Sequence, residues 1–128
     1  MKGLTKAEEQ VMHHLWELEK AFLKDIVEAY PEPRPAYTTI STVIRVLVKK
    51  GYIAYHTYGK THEYYPLVSR EVYFSGFFKG FLSRFFNDSA AKFTSFFAKD
   101  KDLSLPELEE MKRIIEQQIQ DKKQQNDE

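Results

Sequence analysis

The chain has 128 residues, which fits one compact domain or one small domain with an appendage. Hydrophobic residues make up 42% and charged residues 30%, as is ordinary for a globular protein. Its 19 basic and 19 acidic side chains cancel, so any electrostatic footprint for nucleic acid has to be local. The lack of Cys excludes disulfides, thiolate metal sites and Cys nucleophiles. The sequence also shows neither a signal peptide nor an apolar run of about 20 residues, so we expect a cytoplasmic protein.

Two helices are predicted before the proline cluster. Thr5 and Glu8 have the spacing of a capping box, and apolar residues recur at helical spacing from there, so a first helix is expected at about Lys6–Leu18. A second apolar series predicts a short helix at about Phe22–Tyr30. It has to end there because Pro31, Pro33 and Pro35 cannot continue a helix.

The segment YTTISTVIRVLVKKG, residues 37–51, predicts a third helix with two different faces. Thr38 or Thr39 could cap its start, and Lys49-Lys50-Gly51 provides cations and then glycine at its end. The apolar stripe expected to face the core is Ile40, Val43, Ile44 and Leu47. The polar residues on the other side are Thr38, Ser41, Thr42, Arg45 and Lys49.

Residues 52–67, rich in Tyr, Ile and Thr, predict two strands joined by a turn near Tyr58-Gly59-Lys60. Three helices followed by a β-hairpin are the element order of a winged helix-turn-helix. The predicted fold is therefore mainly α with a small β-hairpin: a winged helix-turn-helix over residues 1–68, followed by a helical dimerisation domain over residues 69–128.

The second half differs sharply in composition, because nine of the ten Phe residues lie between Phe74 and Phe97. Their three- and four-residue spacing predicts a helix with a wide apolar stripe, interrupted at Asn87-Asp88-Ser89 and followed by a short second helix. Ser104 and Glu107 form another capping box before a last helix, and the polar tail DKKQQNDE is expected to fray.

The polar face of the third helix is the first candidate site. Small hydroxyl residues allow close approach to DNA and can bond base edges or phosphates, and Arg45 can reach a guanine or a phosphate. Lys60, on the hairpin turn, suits a phosphate or the minor groove. For each feature the alternative is an ordinary solvated surface.

The Phe stripe has three interpretations: an intramolecular core, a dimer interface or a membrane-surface face. Dimerisation is favoured because such short helices cannot bury nine Phe rings by themselves. A membrane-surface face is disfavoured because a strongly basic polar face is missing: between Phe74 and Phe86 the only basic residues are Lys79 and Arg84. Direct membrane binding is therefore not expected. The residues expected at the interface are Phe74, Phe77, Phe78, Phe81, Phe85, Phe86, Leu108, Met111 and Ile115.

No catalytic constellation, nucleotide fingerprint or metal-ligand spacing is recognised in the sequence. The four His residues lack suitably spaced partners. We therefore expect neither an enzyme, nor a cofactor, nor a metal site.

The segments LTKAEEQVMHHLWEL, YTTISTVIRVLVKKGYI and YGKTHEYYPLVSREVY closely resemble the BlaI/MecI penicillinase-repressor family, and the similarity continues to LSLPELEEMKRIIEQ. The resemblance implies a homodimeric repressor that binds an inverted-repeat DNA operator. It also implies that the helix at residues 38–50 reads DNA through Thr38, Thr39, Ser41, Thr42 and Arg45.

Two regulatory branches of that family fit this sequence poorly. Members of the antibiotic-resistance branch are inactivated by proteolysis after signalling from a membrane sensor. The matching peptide here is Phe96-Phe97, but the usual Asn before the Phe is absent, so an indirect sensor–protease partner stays open. The copper-responsive branch carries C-terminal Cys residues, and this chain has none. The rival from another class is a winged-helix protein-interaction module that never touches DNA.

Overall fold

A computed structural model describes residues 3–127, which form mainly helices with one small antiparallel sheet, as the sequence predicts. The helices are α1 (Lys6–Leu18), α2 (Leu23–Ala29), α3 (Tyr37–Lys50), α4 (Arg70–Phe86), α5 (Ala90–Ala98) and α6 (Leu105–Asp127). The strands are β1 (Ala21–Phe22), β2 (Ile53–Tyr58) and β3 (Thr61–Pro66), in the sheet order β1-β3-β2.

Several local signals act as the sequence predicts. The capping box of α1 is complete, because the Thr5 amide donates to Glu8 Oε1 at 2.9 Å and the Glu8 amide donates to Thr5 Oγ1 at 3.2 Å. Gly51 ends α3 in the left-handed region at φ 86°, where a residue with a Cβ would be strained. The turn between β2 and β3 falls at Gly59 and Lys60.

Four expectations were wrong in detail. The hairpin is part of a three-stranded sheet, since Ala21 and Phe22 pair with Tyr64 and Glu63, and α2 therefore begins one residue later than predicted. Neither Thr38 nor Thr39 caps α3: the N-cap is Ala36, which is extended at φ −63° and ψ 146°, and no side chain caps the helix. The polar tail continues α6 as far as Asp127, and Glu128 lies outside the described residues.

The chain divides into two compact units, residues 1–78 and 79–128. The first unit has a continuous core that joins α1, α2, α3 and the sheet. Its buried apolar residues are Val11, Met12, Leu15, Ala21, Ile26, Tyr30, Ile40, Ile44, Leu47, Tyr52, Ile53 and Val68. The Trp16 indole donates to the Val68 carbonyl at 2.8 Å and so ties the segment before α4 to α1. The domain boundary between residues 68 and 69 stays a prediction.

The second unit is held by local contacts. Ser104 and Glu107 form the predicted capping box, with the two bonds at 3.0 and 3.2 Å. The predicted interruption is present, since Asn87 and Asp88 have positive φ and Ser89 caps α5. Within residues 3–126, for which side-chain exposure is described, no residue after Val68 is buried, so this unit lacks an interior of its own.

Candidate nucleic-acid interface

Helix α3 presents a buried stripe and an exposed stripe on opposite sides. Ile40, Ile44 and Leu47 are at most 2% exposed and anchor the helix in the core, with the half-buried Val43 beside them. Thr38, Thr42, Arg45 and Lys49 recur at spacings of four, three and four residues, and all four are exposed. The core therefore holds α3 by one side and leaves a polar stripe on the other.

Side-chain hydrogen bonds organise this stripe. The Thr42 hydroxyl donates to the Thr38 carbonyl at 2.9 Å, and Arg45 Nη2 donates to Thr42 Oγ1 at 3.4 Å. The Arg45 guanidinium thus lies along the helix beside the Thr42 hydroxyl. If the side chain turned outward, it would lose this one long hydrogen bond. Of the two other predicted residues, Thr39 is exposed and Ser41 is half-buried, so Ser41 is the less accessible.

The local charge of α3 is positive although the chain is neutral overall. The helix holds Arg45, Lys49 and Lys50 and no acidic residue. Lys50 is committed elsewhere, because its Nζ lies 2.7 Å from Glu8 Oε1 and also donates to the Gly3 carbonyl at 3.3 Å. Sequence reasoning had given Lys50 only a role at the helix end and missed this pair, which joins positions 42 residues apart.

The Glu8–Lys50 pair fixes the end of α3 against the start of α1. Glu8 is 6% exposed, and burial by itself would raise the pKa of its carboxyl. The bonds from Lys50 and Thr5 outweigh burial, so the pKa lies below its ordinary value and the carboxylate stays charged at neutral pH.

The wing, residues 53–66, carries Lys60 at its exposed tip, where Gly59 has φ 60°. The Thr61 hydroxyl donates to the Tyr58 carbonyl at 2.9 Å and closes the turn. On the strands, Thr57 Oγ1 lies 3.1 Å from His62 Nδ1, and the ring centroids of Tyr55 and His62 lie 4.2 Å apart. These contacts give the tip a defined base.

Two tyrosines, one at the start of α3 and one near it on the wing, were missed as candidate site residues. Tyr37, the first residue of α3, is 55% exposed. Tyr64, on β3, has its pKa raised by burial and by the neighbouring Tyr55 and Tyr37, whereas Arg45 opposes the shift. Tyr64 therefore lies where the wing meets α3. This proximity is a tertiary contact, for which no local pattern in the sequence gives a signal.

The residues predicted for dimerisation all keep accessible surface. Phe74, Phe77 and Phe85 are 61%, 51% and 67% exposed. Phe78, Phe81, Phe86, Leu108 and Met111 are half-buried, and Ile115 is exposed. Phe93 links the two Phe-rich helices, since its ring centroid lies 5.5 Å from that of Phe86 and 6.1 Å from that of Phe81. These rings cluster without being enclosed.

Within residues 3–127, no group of three or more His, Asp or Glu side chains is placed to hold a metal ion. Among the same residues, no helix is long and apolar enough to cross a membrane.

Comparison with known proteins places the whole arrangement in context. The family model described as Penicillinase repressor matches residues 4–117. The penicillinase repressor of Bacillus licheniformis is 26% identical over 121 residues, which cover 94% of each chain. The methicillin resistance regulatory protein MecI of Mammaliicoccus sciuri is 29% identical over 113 residues, or 88% of this chain and 92% of that protein. Among solved structures, a CopR repressor structure with 29% identity superposes with a TM-score of 0.45 over 53% of this chain and all of its own.

Proposed function

The chain belongs to the penicillinase repressor family and is a transcriptional repressor, and we propose that it acts as a homodimer on an inverted-repeat DNA operator. The observation that carries the proposal is the exposed polar stripe of α3, which lies opposite the stripe that holds the helix in the core. The interface residues, the homodimer and the operator's symmetry are the parts that require experiment.

The α3 stripe suits the major groove, which admits an α-helix. Thr38, Thr42 and Arg45 offer hydroxyls and a guanidinium in one row, and Thr39 and Ser41 flank them. Because no side chain caps α3, the Tyr37 and Thr38 amides remain available to a phosphate, whereas the Thr39 amide donates to the Ala36 carbonyl at 3.0 Å. Lys49 at the other end of the stripe and Lys60 on the wing add charge for the DNA backbone.

The helical unit supports the homodimer. Beyond Val68 no described side chain is buried, yet this part of the chain holds nine of the ten Phe residues. Exposed apolar surface on this scale favours association, since burying it gains about 25 cal/mol per Å². A second copy of the same helices provides the missing layer through a two-fold interface.

The two proposals are connected by geometry. Paired copies present two α3 helices, and an inverted repeat with half-sites about 34 Å apart places them in successive major grooves on one side of the duplex. We do not propose release by a membrane sensor–protease system, because the peptide Phe96-Phe97 lies within helix α5 and follows Ser95 rather than Asn.

The test uses fluorescence anisotropy with duplexes from the region upstream of the protein's own gene, after footprinting has located the protected dyad. If the dimer contacts about 6–8 phosphates, log K falls with log[salt] at a slope of about −5 to −7. Thr42→Ala combined with Arg45→Ala should bind the dyad and a scrambled duplex almost equally, because the base-reading groups are gone. The dimer should remain intact.

The matched control is Thr94→Ala combined with Arg113→Ala. Thr94 donates to the carbonyl four residues earlier at 2.8 Å, as Thr42 does, but it lies on α5, and Arg113 lies on α6. The control should keep full selectivity for the dyad. A salt slope near zero for the unaltered protein, or equal losses in both double variants, would overturn the assignment of α3.

A further inference from the structure

A cavity of about 560 Å³ opens between the start of α2, the start of α3 and the wing. It exists because β1 is so short: the strand pairs with β3 only at Glu63 and Tyr64 before the chain turns into α2. On this edge of the sheet, Thr61 and His62 therefore have no neighbouring strand and line the cavity instead.

Three of the nine residues that line the cavity are Phe or Tyr. The residues Phe22, Tyr37 and Tyr64 line it, with Leu23 beside them. Burial raises the pKa of Tyr64, so its phenol stays protonated at neutral pH and can donate a hydrogen bond. The volume lies within the range of about 300–1,000 Å³ that is usual for small-molecule sites.

The rim of the cavity carries more positive than negative charge. Lys24 and Lys60 are exposed there, and Asp25 provides the one carboxylate among the lining residues. That carboxylate is already engaged, because Asp25 Oδ2 accepts from the Phe22 amide at 3.0 Å. Aromatic walls beneath two lysines match a ligand that combines a ring with a negative charge.

We propose that this cavity binds a small aromatic carboxylate, with its ring against Phe22, Tyr37 and Tyr64 and its carboxylate toward Lys24 and Lys60. Bound ligand competes with DNA, a consequence that rests on the proposed function. Tyr37 immediately precedes the α3 stripe, and Lys60 is one of the proposed backbone contacts. A ligand held between them occupies the surface that the duplex has to approach.

The first experiment measures binding to the full chain without DNA. Titration calorimetry with 1-naphthoate, which has 13 non-hydrogen atoms, should give a Kd on the order of 1 mM. The matching cation, 1-naphthylmethylammonium, should bind at least about tenfold more weakly, since the rim repels it. Absence of saturable naphthoate binding, or equal binding of the cation, would overturn the proposal.

A charge reversal locates the site. Lys24→Glu should weaken naphthoate binding about threefold to tenfold, because an exposed ion pair becomes a like-charge pair. Lys20→Glu, a reversal at another exposed lysine four residues earlier and outside the cavity, should leave the Kd unchanged. Equal effects of the two reversals would show that binding depends on general surface charge, and the assignment of the cavity would fail.

The second experiment repeats the anisotropy titration at a naphthoate concentration ten times its Kd. Each copy in the proposed dimer carries one cavity, so competition at both cavities raises the measured Kd for DNA about 120-fold. The same naphthoate concentration should have a smaller effect on Lys24→Glu. If naphthoate binds but leaves DNA affinity unchanged, competition is wrong. If the protein binds no duplex, the proposed function fails while the calorimetric result stands on its own.

Discussion

Two parts of this chain bury apolar surface in different ways: the winged half, residues 3–68, and the Phe-rich half, residues 69–127. The first contains twelve buried apolar residues contributed by three helices and a sheet, and it fixes α3 by its inner stripe. The second holds nine of the ten Phe residues, but none of its described side chains is buried. The winged half thus has a core of its own, whereas the Phe-rich half has none among its described residues.

The largest expected effect comes from placing charge on the Phe-rich half. Phe78→Asp combined with Phe81→Asp should raise the dimer Kd by at least about a thousandfold. Each change puts a carboxylate into an apolar contact at a cost of at least about 2 kcal/mol, and both copies carry both changes. Light scattering over a dilution series measures the change, and the resulting monomers should bind a half-site poorly.

The control for that variant is Ser75→Asp combined with Ser83→Asp, which adds two carboxylates to α4 at exposed polar positions. It should remain dimeric. If the two Phe→Asp changes also left the dimer intact, α4 would not be the interface, and the contrast between the halves would need another explanation.

A smaller effect is expected from truncation in the winged half. Leu15 is fully buried, so Leu15→Ala should lower the free energy of unfolding by about 2–5 kcal/mol. Leu18→Ala, on the same helix at 40% exposure, should cost well under half as much. Urea denaturation monitored by Trp16 fluorescence measures both, since the indole is bonded to Val68 in the same core.

The comparison between halves becomes sharper if this denaturation is repeated at several protein concentrations. The loss caused by Leu15→Ala should be the same at each concentration, because the core lies within one chain. The transition of the Phe-rich half, followed by helical circular dichroism, should instead shift with concentration. A concentration-independent transition in that half would indicate that its helices are stable without a partner.

The smallest expected effect is a pH dependence in the winged half. Burial lowers the pKa of His14, whose ring lies 4.3 Å from that of Tyr30, although Glu17 opposes the shift. The folded state therefore binds this proton less readily than the unfolded chain, in which the pKa is about 6.5. The stabilisation is fully present above that pH and is lost as the pH falls below it.

Substituting the histidine isolates this contribution. His14→Gln should flatten the decline in the free energy of unfolding below about pH 6.5. A profile identical to that of the unaltered protein would remove His14 as the source.

Most of the fold could be predicted because its signals are local. The Thr5–Glu8 box and Gly51 at the end of α3 each depend on residues a few positions apart. Strand β1 could not be predicted in this way. It has two residues, and only its pairing with Tyr64 and Glu63 makes it a strand.

The same distinction applies to the candidate interface. The exposed stripe of α3 follows from helical spacing, so Thr38, Thr42 and Arg45 could be named from the sequence. The Glu8–Lys50 pair and the position of Tyr64 beside Arg45 depend on how distant segments pack. The start of α3 at Tyr37 was predicted correctly, but its cap was not. Thr38 and Thr39 are good capping residues, yet Ala36 takes that place and leaves both inside the helix.

The central claim is that the Phe-rich half finds its interior in a second copy of the chain. Sedimentation equilibrium of the full chain, in dilution from micromolar concentrations without DNA, tests that claim most directly. We expect the mass of two chains at the higher concentrations and a reversible shift toward one chain on dilution. The mass of a single folded chain at every concentration would contradict the account.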